Sequence, residues 1–273
     1  MTNVLGILAG GGPLPGQVAS AALAAGREVF VLGFEDYAEP AVISGYRHAY
    51  ARLGAVGKIL SLLRENQVRD LVLIGPVKRP SLLDLRPDAE GAKLIARIGR
   101  AAFKGDDGLL AAVVTVLGEE GFNVIGAHEV APGTLAPNGQ LGKIAANVAA
   151  LRDIERGIAV IRALGEVDVG QGCVVQDGVV LAVEAIEGTD QMLSRVKNLR
   201  RPGQGGVLIK MAKPGQERRA DLPTLGPATI IHAAQAGLCG VAFEAGGTLF
   251  TDRAAMILEA DKSGLFLLGI TPT

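Results

Sequence analysis

The chain has 273 residues, 49% of them hydrophobic, and a formal net charge of −1 at pH 7. This length fits one large domain or two small ones with a sizeable apolar core. The near-neutral charge, without a long basic or acidic run, argues against a nucleic-acid-binding surface and against a polybasic membrane patch. Two cysteines, Cys173 and Cys239, lie in apolar surroundings without CxxC spacing, which predicts small buried side chains in a reducing compartment.

The first half of the chain alternates short apolar runs with helical patterns. Val4–Ala9 is fully apolar, which predicts a strand covered on both faces, and a helix is expected from about residue 13 to residue 25. Further strands are expected near residues 28–34, 71–74 and 123–129, and further helices near residues 56–66, 88–103 and 106–120. This alternation predicts βαβ units, and therefore an N-terminal domain over residues 1–130 with a Rossmann-like parallel sheet.

The second half begins after a break in this rhythm. The stretch APGTLAPNGQLG, from residue 131, has two prolines, three glycines and no periodic apolar pattern, which predicts a linker over residues 131–144. Asp177 and Gly178 then stand between two β-branched runs, as in a β-hairpin. With helical patterns on either side, this hairpin predicts a smaller, mixed α/β C-terminal domain over residues 145–273, and so a two-domain α/β fold.

The beginning of the sequence shows no pattern of export. Met1 is followed almost at once by the first apolar strand, with no basic segment and no cleavage pattern. The uncharged run from residue 222 to residue 243 contains two prolines, and we interpret it as a buried helix plus a strand rather than a membrane span. We therefore expect a cytoplasmic protein.

Three consecutive glycines, Gly10 to Gly12, follow the first strand. A strand, a glycine turn and a helix start favour an anion site, because backbone N–H groups at a helix N-terminus attract negative charge. The alternative is a tight turn with close packing and no ligand. The dinucleotide fingerprint is not met, since Pro15 stands where its third glycine belongs, and the Gly-Lys-Ser/Thr end of a nucleoside-triphosphate loop is missing.

Four polar stretches interrupt apolar or glycine-rich sequence: KGDDG from residue 104, GAHEV from residue 126, VEAIEGTD from residue 183 and KMAKPGQERRADLPTLG from residue 210. Helix capping by Asp106, Asp107 or Thr189, and a structural role for His128, are the alternatives to function. Glu184 lies in a strongly apolar strand, where an unpaired carboxylate is costly, so it needs a basic residue or a metal as its partner. Carboxylates for a hard cation, basic residues for phosphate and a glycine loop together indicate phosphoryl chemistry.

The order of these motifs resembles a known family. LAGGGPLP, KGDD, GAHEV, EGTD and above all ADLPTLGPATI make the whole chain similar to the LpxI-type UDP-2,3-diacylglucosamine pyrophosphatases, Mg²⁺-dependent enzymes of lipid A biosynthesis in Gram-negative bacteria. The resemblance implies two α/β domains with the substrate held between them. It also implies hydrolysis of the pyrophosphate of UDP-2,3-diacylglucosamine to 2,3-diacylglucosamine 1-phosphate (lipid X) and UMP.

The same resemblance implies roles for individual residues. It puts the essential aspartate at Asp221, whose alternative role is to cap a helix expected to begin near Pro223. The residues that it implies as substrate contacts are Gly10, Gly11, Gly12, Leu14, Gly75, Thr189, Lys213 and Thr224. Carboxylates expected to hold Mg²⁺, or Mn²⁺ in its place, are those of Asp221, Glu184 and Asp190. The stretch GPVKRP departs from an asparagine-valine-basic pattern of the family, so at this point only the Gly75 backbone is expected to make contact.

The expected partners follow from the same source. They are UDP-2,3-diacylglucosamine and lipid X as bound lipids, with no nucleic acid and at most peripheral contact with the inner membrane; the sequence leaves a monomer and a homodimer open. Two other functions stay open on the residues alone. One is a nicotinamide-dependent oxidoreductase, suggested by the glycine turn and an acidic Glu35 or Asp36 after the second strand, and the other is a non-catalytic nucleotide- or lipid-binding protein.

Overall fold

The computed structural model describes residues 3–78, 85–98 and 106–272. These residues form two compact units. Unit 1 contains the chain up to Gly133 together with the short stretch Glu217–Asp221, and unit 2 contains Thr134–Gln216 and the chain from Leu222 onward. Asp221 was expected within the range 145–273 of the second domain, whereas its contacts group it with unit 1.

Unit 1 is built on a five-stranded parallel sheet of order β3-β2-β1-β4-β5. Its elements, in chain order, are β1 Val4–Ala9, α1 Leu14–Ala24, β2 Val29–Phe34, α2 Pro40–Ile43, β3 His48–Ala51, α3 Val56–Glu65, β4 Val68–Ile74, α4 Ala89–Ile98, α5 Asp106–Glu119, β5 Asn123–Val124 and α6 Ala127–Val130. Every residue of β1 and β2 is buried, which explains their unbroken apolar sequences. The predicted Rossmann-like parallel sheet is confirmed.

The strand order of unit 1 reverses at β1. From β1 the chain goes to β2 on one side, and it later returns to β4 on the other side of β1. In open α/β sheets, ligands bind outside the carboxyl ends of the strands where the strand order reverses. Gly10–Gly12 follow β1 and Gly75 follows β4, so both segments lie at this reversal.

Two strands of unit 1 differ markedly from the prediction. The strand β3 was missed because it is a short, partly exposed edge strand without a continuous apolar run. The strand expected over residues 123–129 ends at Val124, and His128 lies on the short helix α6. The Gly126 N–H donates to the carboxylate of Glu129 at 2.6 Å, which stabilises the start of that helix.

Unit 2 is built on a six-stranded mixed sheet of order β6-β13-β11-β9-β7-β8, beside a two-stranded parallel pair, β10 and β12. Its elements are β6 Gly139–Leu141, α7 Val148–Gly165, β7 Gly172–Gln176, β8 Val179–Val183, α8 Gly188–Val196, β9 Val207–Lys210, β10 Thr224–Leu225, α9 Pro227–Gln235, β11 Gly240–Glu244, β12 Leu249–Phe250, α10 Arg253–Ser263 and β13 Phe266–Ile270. Strands β9, β11 and β13 are mutually parallel, and β6 and β7 run against them. The mixed α/β class of the second domain is confirmed.

The hairpin at Asp177 is present as β7 and β8. Asp177 and Gly178 both have positive φ, 50° and 76°, as a tight two-residue hairpin turn requires. Their N–H groups donate to the buried carboxylate of Asp153 on α7, at 3.0 and 2.7 Å. The uncharged run from residue 222 contains β10, α9 and β11, and among the described helices none has the length and apolar character needed to span a bilayer.

Candidate functional site

The glycines that follow β1 and β4 join the ends of these two strands. The Gly10 N–H donates to the carbonyl of Ile74 at 2.9 Å, and the Gly11 N–H donates to the carbonyl of Pro76 at 3.0 Å. A Cβ added to Gly10 would collide with the carbonyl of Gly75, whose own φ is +97°. Two of the three amides expected to bind an anion therefore already donate to backbone carbonyls of the protein. A ligand role of Gly10 and Gly11 must then depend on close approach of the ligand to their backbone.

The third amide of this loop faces a carboxylate. The Gly12 N–H donates to Oε1 of Glu39 at 3.1 Å, and the φ of Gly12 is +73°, a conformation that favours glycine. Leu14, the first residue of α1, is only 4% exposed and is part of the apolar core. A negatively charged side chain thus already lies at the amide where an anionic ligand was expected.

Asp221 closes a short turn that is fixed within unit 1. Its N–H donates to the carbonyl of Glu217 at 2.9 Å, and the Arg219 guanidinium binds both carboxylate oxygens of Glu217, at 2.8 and 2.7 Å. This hydrogen bonding lowers the pKa of the Glu217 carboxyl, while Ala220 packs against the apolar core of the unit. Asp221 itself is half-buried, and the turn that it closes is fixed by its bond to Glu217 and by the pairing of Arg219 with Glu217.

The capping role considered for Asp221 is excluded. The helix expected near Pro223 begins at Pro227, and its N-cap residue is Gly226. Leu222 and Pro223 instead lead into the strand β10 at Thr224. The DLPT stretch therefore carries an aspartate that no helix start accounts for.

The GAHEV motif lies near this turn in unit 1. The Arg219 side chain has a raised pKa, mainly because of its hydrogen bond to Glu217, and the carboxylate of Glu129 adds to this shift. A hydrogen-bonded structural role was the alternative considered for His128. Its Nδ1 is buried without a hydrogen-bond partner among the described residues.

Unit 2 gathers Glu184, Thr189 and Lys210 into a group that we call the Lys210 cluster. The Lys210 ammonium lies 3.4 and 3.5 Å from the two carboxylate oxygens of Glu184 and also donates to the hydroxyl of Thr189. The Thr189 hydroxyl donates to Oε1 of Glu184 at 2.9 Å. Lys210 is 5% and Glu184 7% exposed, so the partner that the sequence required for Glu184 is a basic residue.

The other predicted residues of unit 2 have separate partners. Lys213 is buried and paired with Asp168, and its N–H donates to Gln216 at 2.8 Å. The Asp190 carboxylate lies 3.0 Å from Nδ1 of His232 on α9. The Thr224 hydroxyl donates to the carbonyl of Leu222 at 3.3 Å.

These contacts bear on the expected metal site. Within the described part of the chain, no three His, Cys, Asp or Glu side chains come together as ligands. Glu184 does not fit a cation site, because the Lys210 ammonium already lies against its carboxylate. Mg²⁺ commonly needs only one or two protein carboxylates when substrate phosphates supply the remaining oxygens, and of the three carboxylates expected to hold it, Asp221 is a half-buried residue on a fixed turn.

Comparison with known proteins covers both halves of the chain. The family model described as the LpxI N-terminal domain matches residues 4–134, and the model described as the LpxI C-terminal domain matches residues 137–268. The chain belongs to the LpxI family. A relative from Caulobacter vibrioides, named UDP-2,3-diacylglucosamine pyrophosphatase LpxI, is 45% identical over 274 residues, which cover 98% of each chain. The resemblance inferred from the LpxI motifs is thus confirmed.

Two residues of this LpxI chain have partners that the sequence did not identify: Lys210 was named only as part of a polar stretch, and Glu39 was not named. Lys210 ends the apolar strand VLIK, and a lysine at the end of a buried strand is itself a signal of a buried ion pair. Glu39 lies 27 residues from Gly12, in an exposed segment whose sequence carries no comparable signal. Of the KGDD stretch, residues 104 and 105 lie outside the described residues, and α5 begins at Asp106.

The cysteines provide a first prediction. Burial raises the pKa of the Cys173 thiol to about 12 and that of the Cys239 thiol to about 11, so both stay protonated and poorly nucleophilic at pH 7 to 9. We expect the Cys173→Ala, Cys239→Ala variant to retain the turnover of the unmodified chain. A fall in turnover without a fall in melting temperature would contradict this expectation.

Proposed function

We propose that this chain hydrolyses the pyrophosphate bond of UDP-2,3-diacylglucosamine, releasing 2,3-diacylglucosamine 1-phosphate (lipid X) and UMP. The observation that carries the proposal is the 45% identity, over 98% of both chains, to a relative named for this pyrophosphatase activity. Matches to both LpxI domains add support. A nicotinamide-dependent oxidoreductase has no comparable support, because the glycine loop departs from the dinucleotide fingerprint at Pro15.

Asp221 is the residue to which we assign the chemical step. Its half-buried carboxylate lies on a turn fixed by the pairing of Arg219 with Glu217, so it has a defined place from which to position the attacking water or to hold a cation. Mg²⁺, or Mn²⁺ in its place, would when bound stabilise the charge that develops on the phosphate oxygens. The anionic substrate itself would supply most of the remaining oxygen ligands.

Residues of both units are assigned to substrate binding. In unit 1 they are Gly11 and Gly12 of the glycine loop and the Gly75 backbone, at the reversal of the strand order where such sheets bind ligands. In unit 2 they are Thr189, Lys213 and Thr224, of which Thr189 is half-buried beside the buried Lys210. Because the proposed substrate carries two acyl chains, we also expect peripheral contact with a membrane surface during substrate uptake.

The proposal predicts UMP release that depends on a divalent cation. Purified protein would be incubated with UDP-2,3-diacylglucosamine in detergent micelles, and UMP would be measured by chromatography with Mg²⁺, with Mn²⁺ and after chelation by EDTA. We expect release with either cation and its loss on chelation, with recovery when Mg²⁺ is added back. The Caulobacter relative serves as the positive control.

Two outcomes would count against different parts of this proposal. No UMP release under conditions in which the control releases it would refute the proposed reaction. Full release after exhaustive chelation would refute only the cation requirement.

A further inference from the structure

The Lys210 cluster holds two charged groups in the interior of unit 2. Lys210 ends β9, Glu184 follows β8, and both side chains are more than nine-tenths buried. Gly172 lies opposite Lys210 in the register of β7 and β9, and a Cβ on Gly172 would collide with the Glu184 carboxylate. The carboxylate is therefore fixed between a glycine and an ammonium group.

Thr189 is the most exposed member of the cluster. It lies in the first turn of α8 and is half-buried, whereas its two charged partners are buried. Its hydroxyl contacts the Lys210 ammonium and donates to Glu184 Oε1 at 2.9 Å. Any ligand at this point would therefore meet a hydroxyl whose hydrogen bonds are already partly assigned.

The donor and acceptor inventory fixes the direction of each bond. An ammonium group can only donate, an ionised carboxylate can only accept, and a hydroxyl has one hydrogen and two lone pairs. In the cluster, the Thr189 hydrogen points to Glu184 and one lone pair accepts from Lys210. One lone pair remains, so Thr189 can accept one more hydrogen bond and has no hydrogen to donate.

We propose that Lys210 and Glu184 are positioning residues that make Thr189 an acceptor-only contact for an N–H or O–H group of the ligand. A pyrophosphate oxygen, which carries no hydrogen at neutral pH, would place a lone pair against a lone pair and is excluded as the partner of Thr189. This inference rests on the proposed function for its ligand. The proposed substrate offers suitable donors on both sides of its pyrophosphate, in the amide and hydroxyl groups of the acylated sugar and in the hydroxyl and N–H groups of the nucleoside.

Binding of the separate products tests the inference without turnover. Isothermal titration would measure UMP, lipid X in micelles and dimethyl pyrophosphate, a diester that like the substrate's pyrophosphate carries no O–H hydrogen, with the unmodified chain and with Thr189→Val, which keeps the shape and removes the hydroxyl. We expect the dissociation constant of one product to rise about 3- to 10-fold, the effect of one neutral hydrogen bond, with dimethyl pyrophosphate binding unchanged. The product affected identifies whether the donor belongs to the sugar or to the nucleoside.

Four further variants separate positioning from stability. Thr189→Ser keeps the hydroxyl and should restore product affinity, and Thr115→Val, on the exposed face of α5, is the matched control and should change nothing. The paired variant Lys210→Met, Glu184→Gln removes both buried charges together, which avoids leaving one of them unpaired. This paired variant should weaken binding of the same product. Adding Thr189→Val to it should lower the product affinity little further, because the three residues act together.

Different outcomes test the acceptor role of Thr189 and the proposed pyrophosphate hydrolysis. If Thr189→Val weakens dimethyl pyrophosphate binding, or leaves both products bound as before, the acceptor role of Thr189 is wrong. If the paired variant only lowers the melting temperature, Lys210 and Glu184 are structural alone. If the unmodified chain binds the products but releases no UMP from the substrate, the proposed reaction fails while the binding result still decides the role of Thr189.

Discussion

The Asp221→Asn variant is expected to release UMP at least ~10²-fold more slowly than the unmodified chain, with little change in its melting temperature. Loss of one well-placed charged or acid-base group lowers the reaction rate by a factor of this order. Asparagine has nearly the same shape as aspartate, and the N–H of residue 221 still donates to the Glu217 carbonyl. The fold has no helix cap to lose at this position, because α9 begins at Pro227 with Gly226 as its cap.

The measurement combines rate, stability and ligand binding. UMP release and melting temperature would be followed on the same preparation, with lipid extraction to find uncleaved substrate. Asp252→Ala is the matched control, since the Asp252 side chain does cap a helix, accepting from the Ala255 N–H at 2.9 Å. It should be less stable by about 1 kcal/mol and should turn over normally.

A near-normal rate for Asp221→Asn would refute the assignment of the chemical step to Asp221. Asp190 and Glu184 would then be the next carboxylates to replace. Of these, Asp190 is the exposed one and lies 3.0 Å from His232, so its replacement leaves no buried charge unpaired. Replacement of Glu184 alone would leave Lys210 buried without its counter-charge and would destabilise the fold, by about 3–5 kcal/mol for a broken buried pair. A slower rate in a Glu184 variant must therefore be compared with its melting temperature.

Patterns that depend on neighbours in sequence were predictable. The unbroken apolar runs of β1 and β2 identified strands buried on both faces, and Asp177-Gly178 identified the hairpin because few other pairs accept positive φ at both positions. The edge strand β3 was missed, since a strand exposed on one side lacks an apolar signature. Local sequence thus identified the central strands better than the edges.

Contacts that depend on register could not be predicted in the same way. The need of Glu184 for a partner follows from its apolar neighbours, but Lys210 is 26 residues away and reaches it through the pairing of β8, β7 and β9. The amides of Gly10 and Gly11 likewise donate to carbonyls at the end of β4 and just after it, more than 60 residues later. Sequence could indicate that these groups need partners, whereas only the fold identifies them.

The Gly10→Ala variant is expected to lose several degrees of melting temperature while the KM of the remaining folded enzyme changes little. The added Cβ would collide with the Gly75 carbonyl, and forcing an extra carbon into close-packed structure typically costs about 1–3 kcal/mol. Backbone atoms at the ends of two central strands have little freedom to move aside. The expected damage is therefore to the sheet of unit 1 and not to a ligand contact.

Gly12 provides the matched comparison in the same loop. A Cβ there has open space, with its nearest neighbour at 3.9 Å, so Gly12→Ala carries only the strain of a positive φ, about 1 kcal/mol. If the substrate approaches this backbone, Gly12→Ala should raise KM with a smaller fall in melting temperature than Gly10→Ala. The more demanding Gly11→Val should raise KM further, although its Cβ would also lie 3.3 Å from the Tyr37 carbonyl. Unchanged KM in both Gly12→Ala and Gly11→Val would mean that the three glycines serve only the turn and the packing of β1 against β4.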